Sequence, residues 1–207
     1  MERRMKSKYA VSIGLLVLAL GGCVSPKAYV DPKYAGTSYS EIKRVEKQYN
    51  ANIDVEFQRN GSHYSAADSE LRANVERIFR ASGVVVPSPG SSDMSIKVVC
   101  NNIADISGAA MKGFGTGLTF GAAGTAVTDF YQITIELKRG DEVVSKTYDH
   151  AIHTTVGNKA APVQGVTPTT LANAFSGVVE DVVLQFVKEM QDSNVLTLNE
   201  LFMRNSA

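Results

Sequence analysis

The sequence predicts an α+β fold, a two-layer sandwich in which two helices pack on one face of an antiparallel sheet of about four strands. Three observations predict it. Apolar and polar residues alternate in 53–57, 94–101 and 130–138, which is the pattern of half-buried strands. Two longer segments each carry one apolar stripe at helical spacing. The turn signal at 139–141, Arg-Gly-Asp, joins two strands as a hairpin, and hairpins favour antiparallel sheets with one face in solvent.

The strands are taken in chain order. Residues 41–49 fit either a short helix or a first strand, and the stretch 53–57 ends at a turn. In the strand 94–101, Cys100 shares a face with other apolar residues, so it is expected to be a buried small hydrophobe; an intermolecular disulfide is the alternative. Residues 143–154 are expected to be the returning strand of the hairpin.

The first helix has a start signal and a stop signal. Ser65 is the expected N-cap, Asp68 completes a capping-box-like start, and Gly83 supplies the C-terminal stop. A single apolar stripe runs along the helix between these signals and predicts the face that packs on the sheet. The stripe consists of Leu71, Val75, Ile78, Phe79 and Ser82.

The second helix is expected to run from a cap at Thr167, with Pro168 in the first turn, to about Asp192. Glu180 and Asp181 are expected on its solvated side. Its stripe is broad enough to cover a sheet, and its methionine is ordinary core. The stripe consists of Leu171, Ala174, Phe175, Val178, Val182, Phe186 and Met190.

The first 22 residues have the layout of a signal peptide. Residues 1–8 are basic, and the uncharged run 9–20 would span roughly 18 Å as a helix, short of the roughly 30 Å hydrocarbon core of a bilayer. The sequence Leu20-Gly21-Gly22-Cys23 follows and resembles the lipobox of bacterial lipoproteins. A plain secretory signal with a chance cysteine, or an uncleaved anchor, is the alternative.

The lipobox resemblance implies cleavage before Cys23, a diacylglycerol thioether on its sulfur, and a third acyl chain such as palmitate on its amine. Two or more chains hold a protein firmly to a bilayer. Val24 stands where an Asp would imply retention in the inner membrane, so the resemblance implies the outer membrane. Residues 23–40 are expected to be the acylated cysteine and an extended tether, and residues 41–207 a single domain.

The segment 107–127 is mostly apolar and rich in glycine. Gly113, Gly117 and Gly121 have GxxxGxxxG spacing, a glycine zipper that would give a helix one flat ridge for close backbone packing. Phe114, Leu118 and Phe120 add apolar bulk beside it. A phosphate-binding loop fails because the segment contains neither GxxxxGK[ST] nor GxGxxG. A flexible or hairpin loop over the sheet and an element for membrane contact or self-association both stay open.

The lipobox, the small α+β domain and this insertion together resemble the surface-exclusion and complement-resistance lipoproteins of outer membranes. That resemblance implies a glycine-zipper insertion between strands and assembly into oligomers. The helix-on-sheet outline is also similar to lipopolysaccharide-assembly and curli-secretion lipoproteins. Neither resemblance supplies a functional residue for this chain.

Composition and motifs point away from catalysis and from nucleic acid. The leader holds four of the 21 basic residues and one of the 21 acidic ones, so the rest of the chain has a formal net charge of −3. His150 and His153, three apart in a strand, are expected on opposite faces, where they cannot share a metal; His63 is in a turn. The sequence contains no GxSxG, HExxH or CxxC. No cofactor is expected.

The sequence therefore predicts a non-catalytic lipoprotein of the cell envelope. Cys23 would anchor it to the outer membrane, and the segment 107–127 would mediate self-assembly or contact with envelope partners. A periplasmic module that binds a lipid or an assembly factor between sheet and helices is the alternative.

Overall fold

The computed structural model describes residues 26–34, 36–90, 92, 94–104 and 125–196. Within them, a seven-stranded mixed sheet carries two α-helices on one face, called here the helix face. The strands are β1 (Lys27–Val30), β2 (Tyr49–Arg59), β3 (Ser62–His63), β4 (Val85–Pro87), β5 (Met94–Ala104), β6 (Thr125–Arg139) and β7 (Glu142–Val156). The helices are α1 (Asp68–Ser82) and α2 (Leu171–Asp192).

The α+β class is confirmed, but the predicted antiparallel sheet of about four strands is wrong. The strand order is β1-β7-β6-β5-β2-β3, and β4 also pairs with β2. β2 runs parallel to both β4 and β5. The reason is that α1 follows β2 and crosses the helix face, which returns the chain to the same end of the sheet. The strands β5, β6, β7 and β1 are antiparallel to their neighbours, and so is the short pair β2–β3.

Three short strands were not predicted. β3 and β4 have two and three residues, too few to show a periodic pattern. β1 lies inside the stretch expected to be a tether, but Ala28 and Tyr29 are buried and the strand pairs with β7. An extended tether is therefore wrong from Lys27 onward.

The predicted helix stripes lie in the core, but the predicted N-caps are wrong. Leu71, Val75, Ile78 and Phe79 are buried, and Gly83 ends α1 in the left-handed conformation at φ 71°. Ser65 begins a 3₁₀ turn before α1 and does not cap it. α2 begins at Leu171, capped by the hydroxyl of Thr170 in place of Thr167.

Residues 31–34 and 36–47 form a strap that runs along α2, which is why 41–49 shows no clear periodicity. Within it the backbone of Lys43 exchanges two hydrogen bonds with the buried amide of Gln191, at 2.9 and 2.7 Å. The Tyr39 hydroxyl donates to Glu180 at 3.1 Å. Gly36 lies against the backbone of Asp181. The expectation that Glu180 and Asp181 are merely solvated is therefore wrong.

Candidate functional site

One end of the sheet collects the starts and ends of several elements. β5 ends there at Ala104 and β6 begins at Thr125, so the chain leaves and re-enters the sheet at this place. β1 begins at the same end, because Lys27 and Ala126 both pair with Thr155. This end is called the insertion end, and the opposite end, at the β6–β7 turn, the hairpin end.

A groove of about 400 Å³ opens on the helix face at the insertion end. Its floor is the last rung of β2, where Arg59, Asn102 and Tyr131 lie side by side on three neighbouring strands. The first turns of both helices form its walls. The complete lining is Phe57, Arg59, Tyr64, Ala67, Glu70, Asn102, Asp129, Tyr131, Leu171, Ala172 and Phe175.

Four aromatic rings line this groove in a continuous series, and we call it the aromatic groove. The ring centroids of Tyr64 and Phe57 are 6.5 Å apart, those of Phe57 and Phe175 5.9 Å, and those of Phe175 and Tyr131 5.7 Å. These are the tilted and edge-to-face contacts that aromatic rings prefer. The series links β2, α2 and β6, so it fixes the width of the groove.

Polar side chains lie beside the aromatic rings of the groove. The guanidinium of Arg59 lies 5.7 Å from the centroid of Tyr64, a cation–π contact. The buried side chain of Asn102 lies beside Tyr131, its cross-strand partner. Burial, and secondly the carboxylate of Asp129, raise the pKa of the Tyr131 hydroxyl, so it stays protonated. The groove thus offers aromatic surface with a few oriented polar groups, which suits binding of an amphipathic ligand.

Exposed apolar side chains concentrate at the insertion end. Six large hydrophobic residues of the described chain are exposed, and four of them lie here. Ile103 and Phe130, 41% and 45% exposed, are a cross-strand pair on the sheet face away from the helices. Tyr64 and Leu171, 47% and 49% exposed, line the aromatic groove on the other face. Clustered exposed apolar residues mark interaction surfaces more often than scattered ones do.

His150 and His153 lie on opposite faces of β7, as predicted from their spacing. The Nδ1 atom of His150 accepts the amide of Ala151 at 2.9 Å, which leaves Nε2 to donate to Asp181 at 3.2 Å. This contact ties the sheet to α2. Within the described ranges, no group of three or more potential ligands could hold a metal ion.

His153 joins three elements on the other face. Its Nε2 atom lies 3.3 Å from Oδ2 of Asp31, and its Nδ1 atom lies 2.8 Å from the hydroxyl of Thr128. The order of groups, carboxylate, imidazole and hydroxyl, resembles a nucleophile with its base. Thr128 and His153 are also direct partners in the β6–β7 ladder, so the contact is what a cross-strand pair makes.

The site residues predicted from the sequence are not among those the structure describes. Cys23 and all six residues predicted for assembly lie outside the described ranges: Gly113, Phe114, Gly117, Leu118, Phe120 and Gly121. The aromatic groove was missed because its residues come from five separate strands and helices and from the turn before α1. Phe57, Tyr131 and Phe175 did show in the apolar patterns, but those patterns assign a residue to a face and not to a cavity.

Where the structure is described, no helix is both long and apolar enough to cross a membrane. A scan against protein-family models and a search of curated proteins gave no match.

Solved structures give distant matches. Protein XCC0632 from Xanthomonas campestris, of family DUF330, is 14% identical with a TM-score of 0.41, over 73% of this chain and 92% of that one. A PelC dodecamer from Paraburkholderia phytofirmans is 11% identical with a TM-score of 0.37, over 79% and 97%. A homolog of a neuraminyllactose-binding hemagglutinin from Helicobacter pylori is 10% identical with a TM-score of 0.37, over 74% and 91%.

With TM-scores below 0.5 at these identities, the likeness carries no argument about activity, ligand or assembly, and the dodecamer is a property of PelC.

Proposed function

We propose that this chain is a non-catalytic lipoprotein of the outer membrane, anchored through acylated Cys23, whose insertion end and segment 107–127 mediate self-assembly or contact with envelope partners. The observation that carries the proposal is the concentration of exposed apolar side chains where the chain leaves and re-enters the sheet. The lipobox at residues 20–23 supports the anchor.

The apolar surface is placed where the glycine-rich segment can extend it. Ile103 is one residue from the end of β5, and Phe130 lies directly across from it on β6. The residues that connect these two strands include the GxxxGxxxG spacing and three large apolar side chains. The exposed apolar side chains of the domain and the apolar residues of the connecting sequence are therefore neighbours along the chain, which favours one shared interface.

The aromatic groove favours a second candidate, a module that binds a lipid or an assembly factor between sheet and helices. Its volume and its mixture of rings and polar groups are those of a small-molecule site. This candidate predicts that a ligand copurifies with the protein and is lost when Phe175→Asp introduces a charge into the groove. A protein with no bound ligand and unchanged envelope function in that variant would reject it.

The anchor is tested by Cys23→Ser in the full chain. The parent is expected in the outer-membrane fraction with its leader removed, and the variant, which has no thiol to acylate, is expected outside that fraction. Metabolic labelling with palmitate is expected in the parent alone. An unlabelled parent, or a variant that still fractionates with the outer membrane and has lost its leader, would reject the anchor.

The assembly role is tested by two matched variants in the same segment. Gly117→Leu places a large side chain on the glycine-zipper ridge, whereas Gly115→Leu places it off the GxxxGxxxG spacing. The mass of the membrane-extracted protein in detergent is expected to fall for Gly117→Leu and to stay unchanged for Gly115→Leu. Equal masses for parent and both variants would contradict assembly through the zipper.

A further inference from the structure

We infer that the insertion end of the domain rests on the lipid surface, with Ile103, Phe130, Tyr64 and Leu171 in contact with the interfacial region of the bilayer. This inference rests on the proposed anchor at Cys23. It adds an orientation of the domain on the membrane. The hairpin end points away from the membrane. The aromatic groove and the place where the chain leaves and re-enters the sheet lie near the lipid.

The length of chain between anchor and domain supports this orientation. Cys23 precedes Lys27 by four residues, and Lys27 is the first residue of an edge strand that begins at the insertion end. Four residues reach at most about 14 Å even when fully extended. The acylated cysteine therefore holds the insertion end within this distance of the bilayer surface. The hairpin end, at the other end of the strands, cannot be the end that lies at the bilayer.

The exposed side chains at the two ends of the sheet support the same orientation. The insertion end exposes two aromatic and two aliphatic residues, the types that partition into the interface of a bilayer. The hairpin end exposes Lys138, Asp141 and Glu142, with Val143 as its exposed hydrophobic residue. The end nearest the anchor thus exposes four large hydrophobic residues, and the hairpin end exposes one.

The position of the anchor favours a bilayer over a second protein as the partner of the apolar surface at the insertion end. A partner chain could reach any exposed surface, but the bilayer can reach only the end to which the acyl chains bring it. Near this end, Lys27 and Arg59 are offset by Glu70 and Asp129. The contact is therefore expected to depend on apolar burial more than on anionic lipid.

Tryptophan fluorescence tests the orientation, because the chain contains no tryptophan. Phe130→Trp places the probe at the insertion end, and Val143→Trp is the matched control at the hairpin end; both positions are exposed on strands. The full-length lipoprotein, extracted from membranes, is reconstituted into vesicles of phosphatidylethanolamine and phosphatidylglycerol containing phosphatidylcholine with brominated acyl chains. Ile103→Trp is a second probe should Phe130→Trp fold poorly, as judged by circular dichroism.

The expected result is a blue-shifted emission for Phe130→Trp with quenching of about twofold or more by brominated lipid, and neither effect for Val143→Trp. Protein that floats with the vesicles but shows no quenching at position 130, or equal quenching at both positions, overturns the orientation and leaves the anchor intact. A blue shift without quenching shows a protein contact and also overturns it. Protein that does not float with vesicles overturns the anchor and the orientation together.

Discussion

The Oδ1 atom of Asp68 accepts the backbone amide of Phe57 at 2.8 Å, which joins the first residue of α1 to the strand that lines the aromatic groove. The other carboxylate oxygen lies 2.7 Å from Nε2 of His63. A single carboxylate thus holds β2, the short strand β3 and α1 together at the insertion end.

These bonds predict a pH-dependent stability. The amide of Phe57, and secondly His63, lower the pKa of Asp68 in the folded state. A lowered folded pKa stabilises the fold above the unfolded pKa of about 4, and this contribution is lost as the pH falls through the folded value. Asp68→Asn is expected to lower the urea midpoint at neutral pH and to flatten its decline below about pH 4.

The matched control is Asp141→Asn in the exposed β6–β7 turn. It is expected to leave both the midpoint and its acid dependence as in the parent. If Asp68→Asn and the parent lose stability in parallel as the solution is acidified, the proposed coupling is absent.

His150 is 1% exposed and bonded on both ring nitrogens, so its removal is expected to destabilise the fold. His150→Ala leaves a cavity beside Tyr34, whose ring centroid is 5.3 Å away, and deprives Asp181 of its partner. The loss should be about 2–4 kcal/mol in urea unfolding. His63→Ala, at a half-exposed histidine, is expected to cost less than about 1 kcal/mol. Equal losses would show that burial of His150 is unimportant.

Cys100 is expected to be unreactive in the folded protein. It is buried, and burial raises the pKa of its thiol to about 12. Because the thiolate is the reactive form, reaction with a disulfide reagent at about pH 8 should be roughly a thousandfold slower than for a free cysteine. The rate is measured in Cys23→Ser with and without urea. Fast reaction without urea would revive the alternative of an intermolecular disulfide.

Two glycines that contact neighbouring elements are expected to respond with opposite sign. A Cβ at Gly36 would lie 3.1 Å from the carbonyl oxygen of Asp181. This oxygen belongs to the backbone of α2, which cannot shift easily to relieve the close contact. Gly36→Ala should therefore cost about 1 kcal/mol or more. A Cβ at Gly177 would lie 3.6 Å from Val30, an ordinary contact. Gly177→Ala should stabilise by up to about 1 kcal/mol through helix propensity. The midpoint of thermal unfolding of each variant, compared with that of the parent, checks both predictions.

The sequence predicts those parts of the fold in which burial repeats at short range. Ile53, Val55 and Phe57 alternate because one face of β2 is buried, and the stripe of α1 repeats because one side packs on the sheet. The direction of β5 relative to β2 leaves no such trace. Both are period-two strands in either orientation, and only the path of α1 makes them parallel.

The start of α2 shows how tertiary structure decides between equivalent local signals. The sequence offers several threonines before the helix, and Thr167 with Pro168 is a plausible start. In the structure Thr169 exchanges two backbone hydrogen bonds with Ala28 of β1. That contact keeps the backbone extended up to residue 169, so Thr170 becomes the cap. A contact between residues so far apart cannot be read from the local pattern.

The outer margin of β2 constrains how copies of this chain could associate. Backbone groups of Asn52, Ile53 and Phe57, which another strand would need, are instead bonded to the side chains of Ser92, Arg72 and Asp68. Edge-to-edge growth of the sheet therefore has little template along this margin. An assembly formed at this margin would be held by side chains, and it should come apart in detergent without the resistance typical of a continuous intermolecular sheet.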